Sequence, residues 1–319
     1  MTNVGGPPGA DGVALDLEQG RAAISDGAPL RARDIFERSL ADAMALPEGG
    51  SRSRLVVQAL VELGDLYVAL GDYATAGEFL AEGLRRARAE LGEADLDTAS
   101  VWNSLGMWHR YRGELEKAAA AYARAHQILE YRGASVELAS VLHNSASLAH
   151  LAGDLATAEA MIHDAIELRG GAEGTVEDLG VLAVILADED RFDEAQAVYD
   201  QVRTLLIEER GPGDVELIYL GANEAVLSYR RGDLDEAEHR YVAVIAASEQ
   251  VLGQDHPHTG EVLANLAALR ESAGDPAGAH RDAGRAVAIL SPSVDESHPS
   301  LRLAEEVFEA TRVSVTAAE

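Results

Sequence analysis

Apolar residues return every three or four positions along most of the chain. Leu60, Leu63, Tyr67 and Leu70 mark one face of a helix, and Ala76, Leu80 and Leu84 mark another. Between the two runs lies a short polar break, Gly71-Asp72-Tyr73-Ala74-Thr75-Ala76. A glycine at that point ends one helix, and the aspartate after it caps the next. The segment therefore predicts a helix hairpin.

The break recurs as Gly113-Glu114-Leu115-Glu116-Lys117-Ala118, Gly153-Asp154-Leu155-Ala156-Thr157-Ala158 and Asp190-Arg191-Phe192-Asp193-Glu194-Ala195. It returns as Gly232-Asp233-Leu234-Asp235-Glu236-Ala237 and Gly274-Asp275-Pro276-Ala277-Gly278-Ala279, with a weaker first copy at Gly27-Ala28-Pro29-Leu30-Arg31-Ala32. The closing alanines are 44, 42, 40, 37, 42 and 42 residues apart. Seven residues before each break stands a small residue: Gly20, Gly64, Gly106, Ala146, Ala183, Ala225 and Ala267. A small side chain at fixed phase marks a close approach of two helix backbones. Asp233 followed by Glu236 has capping-box spacing. The pattern predicts an all-α chain of seven tandem hairpins with no separate domain. Residues 1–12 read as a flexible tail, 13–300 as the array, and 301–319 as a C-terminal capping helix and tail.

These markers resemble the tetratricopeptide repeat (TPR). Trp102, Leu105, Gly106, Ala118, Tyr122 and Ala125 follow its pattern of small, aromatic and alanine positions. The spacing of about 42 exceeds the family's usual ~34. The stretch Leu252-Gly253-Gln254-Asp255-His256-Pro257, followed by Leu263-Ala264-Asn265-Leu266-Ala267, is similar to the kinesin-light-chain type. Echoes occur at Leu91-Gly92-Glu93-Ala94-Asp95 and Glu296-Ser297-His298-Pro299, without a coiled-coil heptad region. The resemblance covers residues 13–290. It implies a right-handed superhelical α-solenoid whose first helices line a concave ligand groove.

Counting from each small residue places Asn103, Met107, Arg110 and Tyr111 in that groove, then His143, Asn144, Ser147 and His150. Further copies add Gly180, Val181, Val184 and Ala187; Asn223, Val226, Tyr229 and Arg230; and Asn265, Ala268 and Glu271. Asn144, Asn223 and Asn265 share one phase, and Asn103 sits one position earlier. An amide offers donors and an acceptor, so it can hold an extended peptide backbone without reading its side chains. The kinesin-light-chain type carries asparagines in its peptide groove. Asparagine is a poor helix former, so the copies either contact a ligand or bond within the array. Gly180, Val184 and Ala187 offer an apolar floor between Asn144 and Asn223, or a narrower groove. The groove has no lysine clamp for a C-terminal carboxylate; only Arg110 and Arg230 stand in its place.

Composition narrows the partners. With 55 acidic against 26 basic residues, the net charge is −29. This argues against nucleic acid and against an anionic membrane surface, and favours a basic or apolar protein or peptide segment. There is no cysteine, so thiolate chemistry is excluded. No apolar run approaches the ~20 residues of a membrane span, and Met1–Gly12 lacks a secretory pattern, so a cytoplasmic location is expected. No phosphate loop, G-x-S-x-G elbow or H-E-x-x-H pair occurs. Glu236-Ala237-Glu238-His239 has E-x-x-H spacing but stands alone, and His256 and His258 flank Pro257 in a loop. No metal and no cofactor are expected. His143 and His150 are the candidate catalytic residues, about 10.5 Å apart along a helix, and each needs a nucleophile or carboxylate partner. The expected function is peptide or protein binding in the groove. The alternatives are a ligand- or signal-peptide-sensing regulator, or an enzyme on a repeat scaffold. Oligomeric state is left open.

Overall fold

A computed structural model describes residues 9–25, 27–170, 175–294 and 298–316. Residues 1–8 and 317–319 of the expected tails, and Glu296-Ser297 of the last loop echo, lie outside them. The described elements are helices. They run in pairs: α1 (Ala10–Ser25) and α2 (Pro29–Ala45), α3 (Gly50–Ala69) and α4 (Tyr73–Arg86), α5 (Leu96–Tyr111) and α6 (Leu115–Arg132), α7 (Ser135–Leu151) and α8 (Leu155–Leu168). Then follow α9 (Val176–Asp188) and α10 (Phe192–Arg210), α11 (Glu216–Arg231) and α12 (Leu234–Val251), α13 (Pro257–Ser272) and α14 (Pro276–Leu290), and a last helix α15 (Pro299–Thr316). Helix α4 runs directly into a π-turn, Ala87–Leu91, which Gly92 ends.

Helix α1 claims residues 10–12, which the composition suggested as tail. Val13 and Leu17 bury its apolar face, and Asp11 in the first turn complements the helix dipole.

The small residues sit where the backbones press together. A Cβ added to Gly20, Gly64 or Gly106 would collide with Phe36, Leu80 or Tyr122. Each partner is buried and lies sixteen residues further on. Ala146, Ala183, Ala225 and Ala267 are fully buried at the equivalent positions.

The turns carry two duties in very few atoms. The Asp154 N–H donates to Ala149 O at 2.9 Å and so closes α7, while its side chain accepts from Thr157 N–H at 3.2 Å and opens α8. Asp275 does the same between α13 and α14. Asp233 departs from the expected capping box: its side chain makes no cap hydrogen bond, and it lies 3.6 Å from Arg231 instead. One turn lacks glycine. Asp190 takes the left-handed conformation there, with φ 58°.

The chain forms two compact units, residues 1–181 and 182–319, with the division inside α9. In the first unit Leu17, Phe36, Leu63, Leu66, Leu80, Leu129 and Ile162 are among the large fully buried side chains; in the second, Ile185, Leu206, Leu227, Leu263 and Leu269. Within the second unit α15 packs on α13 and α14, burying Val307 and stacking Phe308 on His280 at 4.2 Å. No described helix is long and apolar enough to cross a membrane.

Candidate functional site: a polar seam on the first helices

Close backbone approach lets short polar side chains bridge successive first helices. In the first unit every neighbouring pair of first helices carries at least one such bridge. Arg21 Nε on α1 donates to Glu62 Oε1 on α3 at 2.6 Å. Ser104 Oγ on α5 donates to Asp65 Oδ2 on α3 at 2.9 Å. Asn144 Nδ2 on α7 donates to Asn103 Oδ1 on α5 at 3.0 Å. His143 Nδ1 on α7 meets Asp178 Oδ1 on α9 at 2.8 Å.

The asparagines thus bond each other, and each is half-buried. Among the described residues, Nδ2 of Asn103 and Oδ1 of Asn144 have no further partner. The pair leaves one amide donor and one amide acceptor side by side, the complement of a peptide backbone.

His143 finds the carboxylate that sequence spacing could not assign. Asp178 is fully buried and also receives Arg169 and the Thr175 hydroxyl, the latter at 3.0 Å. Thr175 in turn accepts from Asp178 N–H at 3.2 Å, a reciprocal cap for α9. Arg169 is held from its other side by Ser140 Oγ at 2.9 Å. Burial opposes the charge on Asp178, but bonds from His143, Arg169 and Thr175 outweigh it and hold the carboxyl down at about 2. An ionised Asp178 fixes the Nδ1–H tautomer of His143. In the neutral imidazole Nε2 is then the acceptor, and it has no hydrogen-bond partner among the described residues.

Beside the seam lies a cluster with unmet polar atoms. Asp65 Oδ1, Arg110 Nε and the Tyr122 hydroxyl are buried without a hydrogen-bond partner. Burial pushes the Asp65 carboxyl up to about 7; Ser104 works against this and Glu62 adds to it. Burial likewise pushes the Tyr122 phenol up to about 12, with Arg110 opposing. The Arg110 guanidinium lies over the Tyr111 ring at 4.7 Å, and that ring is exposed. Orphaned polar atoms of this kind call for water or a ligand group.

The other expected site residues are distributed unevenly. Ser147 and His150 are half-buried on α7. In the second unit Asn223 and Tyr229 are exposed on α11, Asn265 is half-buried on α13, and Val184 is half-buried on α9. Two expectations need correction. Arg230 is engaged inside its unit, bonded to Asp188 and lying 3.5 Å from Asp190 and 5.9 Å from the Phe192 ring, so it is not a spare clamp cation. Ala187 is buried and forms no groove floor, although Gly180 does face open space. Sequence reasoning missed Asp65, Ser104 and Asp178. It also missed Glu224, whose buried carboxylate takes Arg203 and, at 3.2 Å, Arg240. Their partners lie up to 39 residues away, and no short motif records such pairs.

Residues 55–130 and 214–291 match the tetratricopeptide repeat family. This is a TPR protein. Its fold is similar to a Rap protein complexed with Competence and Sporulation Factor, at 15% identity and TM-score 0.66 over 97% of this chain and 89% of that one. It is similar to the Rap conjugation gene regulator of plasmid pLS20 in complex with the Phr* peptide, at 13% identity and TM-score 0.65 over 96% and 76%. Kinesin-light-chain repeats from Podosopora anserina align at 15% identity and TM-score 0.53 over 64% of this chain and 99% of that one. No curated protein matches the chain in sequence. The repeat explains why two bridges fall in the same phase: Arg21 and Asp65 each follow their small residue by one position, and Glu62 and Ser104 each precede theirs by two.

Proposed function

We propose that this TPR protein binds an extended segment of a peptide or partner protein along the first-helix face of its first unit. The observation that carries the reading is the Asn103–Asn144 pair, which leaves an adjacent donor and acceptor uncommitted. A peptide bond offers the matching carbonyl and N–H. In its neutral form His143 adds an acceptor at Nε2. Each seam contact is already made, so little ordering entropy is lost by the receptor on binding. The net charge of −29 selects basic or apolar segments. The two Rap structures, one complexed with Competence and Sporulation Factor and the other with the Phr* peptide, support a binding role for this fold.

The test is selection from a random-peptide library on the immobilised protein, followed by fluorescence anisotropy of the selected peptides. Asn103→Ala with Asn144→Ala is expected to weaken binding about tenfold or more while far-UV circular dichroism is kept. Undiminished affinity in that double variant removes the seam from the reading.

A further inference from the structure

A second candidate site lies away from the seam, in a cavity of about 450 Å³ in the first unit, beside the π-turn that follows α4. Its walls come from that turn, from α5 and from the C-terminal half of α6. The π-turn places Arg88 over the Trp102 indole at 5.2 Å, where Glu93 holds it at 2.9 Å. Such local changes of helical pitch recur at functional sites. Across the cavity stands Arg124. Its only bond among the described residues is a weak one to Gln127 Oε1 at 3.4 Å, and no carboxylate meets its charge. Tyr131, 80% exposed, completes the rim.

We propose that this cavity binds a small anion carried on a planar aromatic ring. The lining holds two arginines against one glutamate, a local positive excess in a chain whose net charge is −29. An acidic head satisfies Arg124, whose planar fork of donors suits a carboxylate or a phosphate. A flat ring finds the Trp102 indole and the Tyr131 phenol as walls, the aromatic surfaces on which planar groups stack. Gln127 supplies one donor and one acceptor for a polar edge. The volume falls in the range of small-molecule sites, ~300–1,000 Å³. Peptide binding at the asparagine seam uses none of these residues, so the two proposals stand separately.

Trp102 is one of two tryptophans and reports occupancy directly. The probes are adenosine monophosphate and benzoate, with adenosine and benzyl alcohol as their uncharged counterparts. Saturable quenching of tryptophan emission is expected with at least one anion, and its uncharged counterpart should bind about tenfold more weakly. The two arms separate a phosphate head from a carboxylate head. Arg124→Gln should weaken the anion by about tenfold, and Arg88→Gln should also weaken it. Arg124 is exposed, so its variant keeps the fold, which an unchanged melting temperature verifies. Trp102→Phe should abolish the signal although Trp108 remains. Equal binding of the uncharged rings, no saturable change with either anion, or full affinity in Arg124→Gln each overturns the proposal.

Discussion

Asn144 donates its side-chain amide to Asn103 across the contact of α7 with α5, at 3.0 Å. The bond uses half of each amide for the scaffold and leaves half for a ligand. The sequence offered two readings of the in-phase asparagines, internal bonding or ligand contact, and this geometry makes them compatible. A poor helix former is tolerated mid-helix because its side chain bridges to the next hairpin.

The pairing at Asp178 sets an acid limit on stability. Its carboxyl is held at about 2, below the ordinary aspartate value, so its stabilising contribution is complete above about 4 and is lost as pH falls towards 2. Asp178→Ala leaves Arg169 and His143 beside an emptied buried site and should cost about 3–5 kcal/mol at pH 7. Urea unfolding of both proteins at pH 7 and at pH 2.5 measures this. The gap between them should shrink at the lower pH.

Asp65 behaves in the opposite sense. Burial raises its carboxyl to about 7, so the folded state holds this proton more tightly than the unfolded chain does. Its contribution is most favourable below about 4 and is lost as pH rises towards 7. Asp65→Asn keeps an acceptor for Ser104 and removes the ionisation. The variant should be more stable than the parent at pH 8, and the advantage should vanish near pH 4. Thermal melts across that range decide it; an advantage independent of pH contradicts the assignment.

Two glycine-to-alanine changes should move stability in opposite directions. Gly106→Ala drives a methyl group into the Tyr122 ring and should cost about 1–3 kcal/mol by overpacking. Gly180→Ala meets nothing within 4 Å and should gain about 0.5–1 kcal/mol from helix propensity. Denaturant midpoints of the two variants report the contrast.

Asp190 occupies the turn position that glycine fills in the neighbouring copies, at φ 58°. Asp190→Gly should relieve about 0.5–1 kcal/mol of backbone strain. The 3.5 Å contact with Arg230 is solvent-exposed and offsets little of that gain. Calorimetry should show a raised melting temperature.

The hairpins were legible because their cause is repeated. A small residue and a turn recur at constant phase, and steric contact at Gly20, Gly64 and Gly106 enforces it. The site was legible only in part. Asn103, Asn144 and His143 could be placed on the first helices by counting, yet their partners could not. No motif or phase in the sequence marks Asp178 or Asp65. Their roles depend on burial and on side chains in another hairpin, as with Ser104 for Asp65. Asp233 failed in the reverse direction: the spacing for a cap was present, but Arg231 draws the carboxylate away.

The seam ties each first helix only to its neighbour one hairpin along the chain. No contact of that kind waits for remote ends to meet, so the loop-closure penalty paid before native contacts form is small. Folding of the first unit should therefore be rapid and could start at any adjacent pair of hairpins, spreading outward from there. The same locality directs wear to the hairpin with the fewest neighbours: among the described residues α1 and α2 pack chiefly on each other and on α3, and should exchange their amide protons with solvent early.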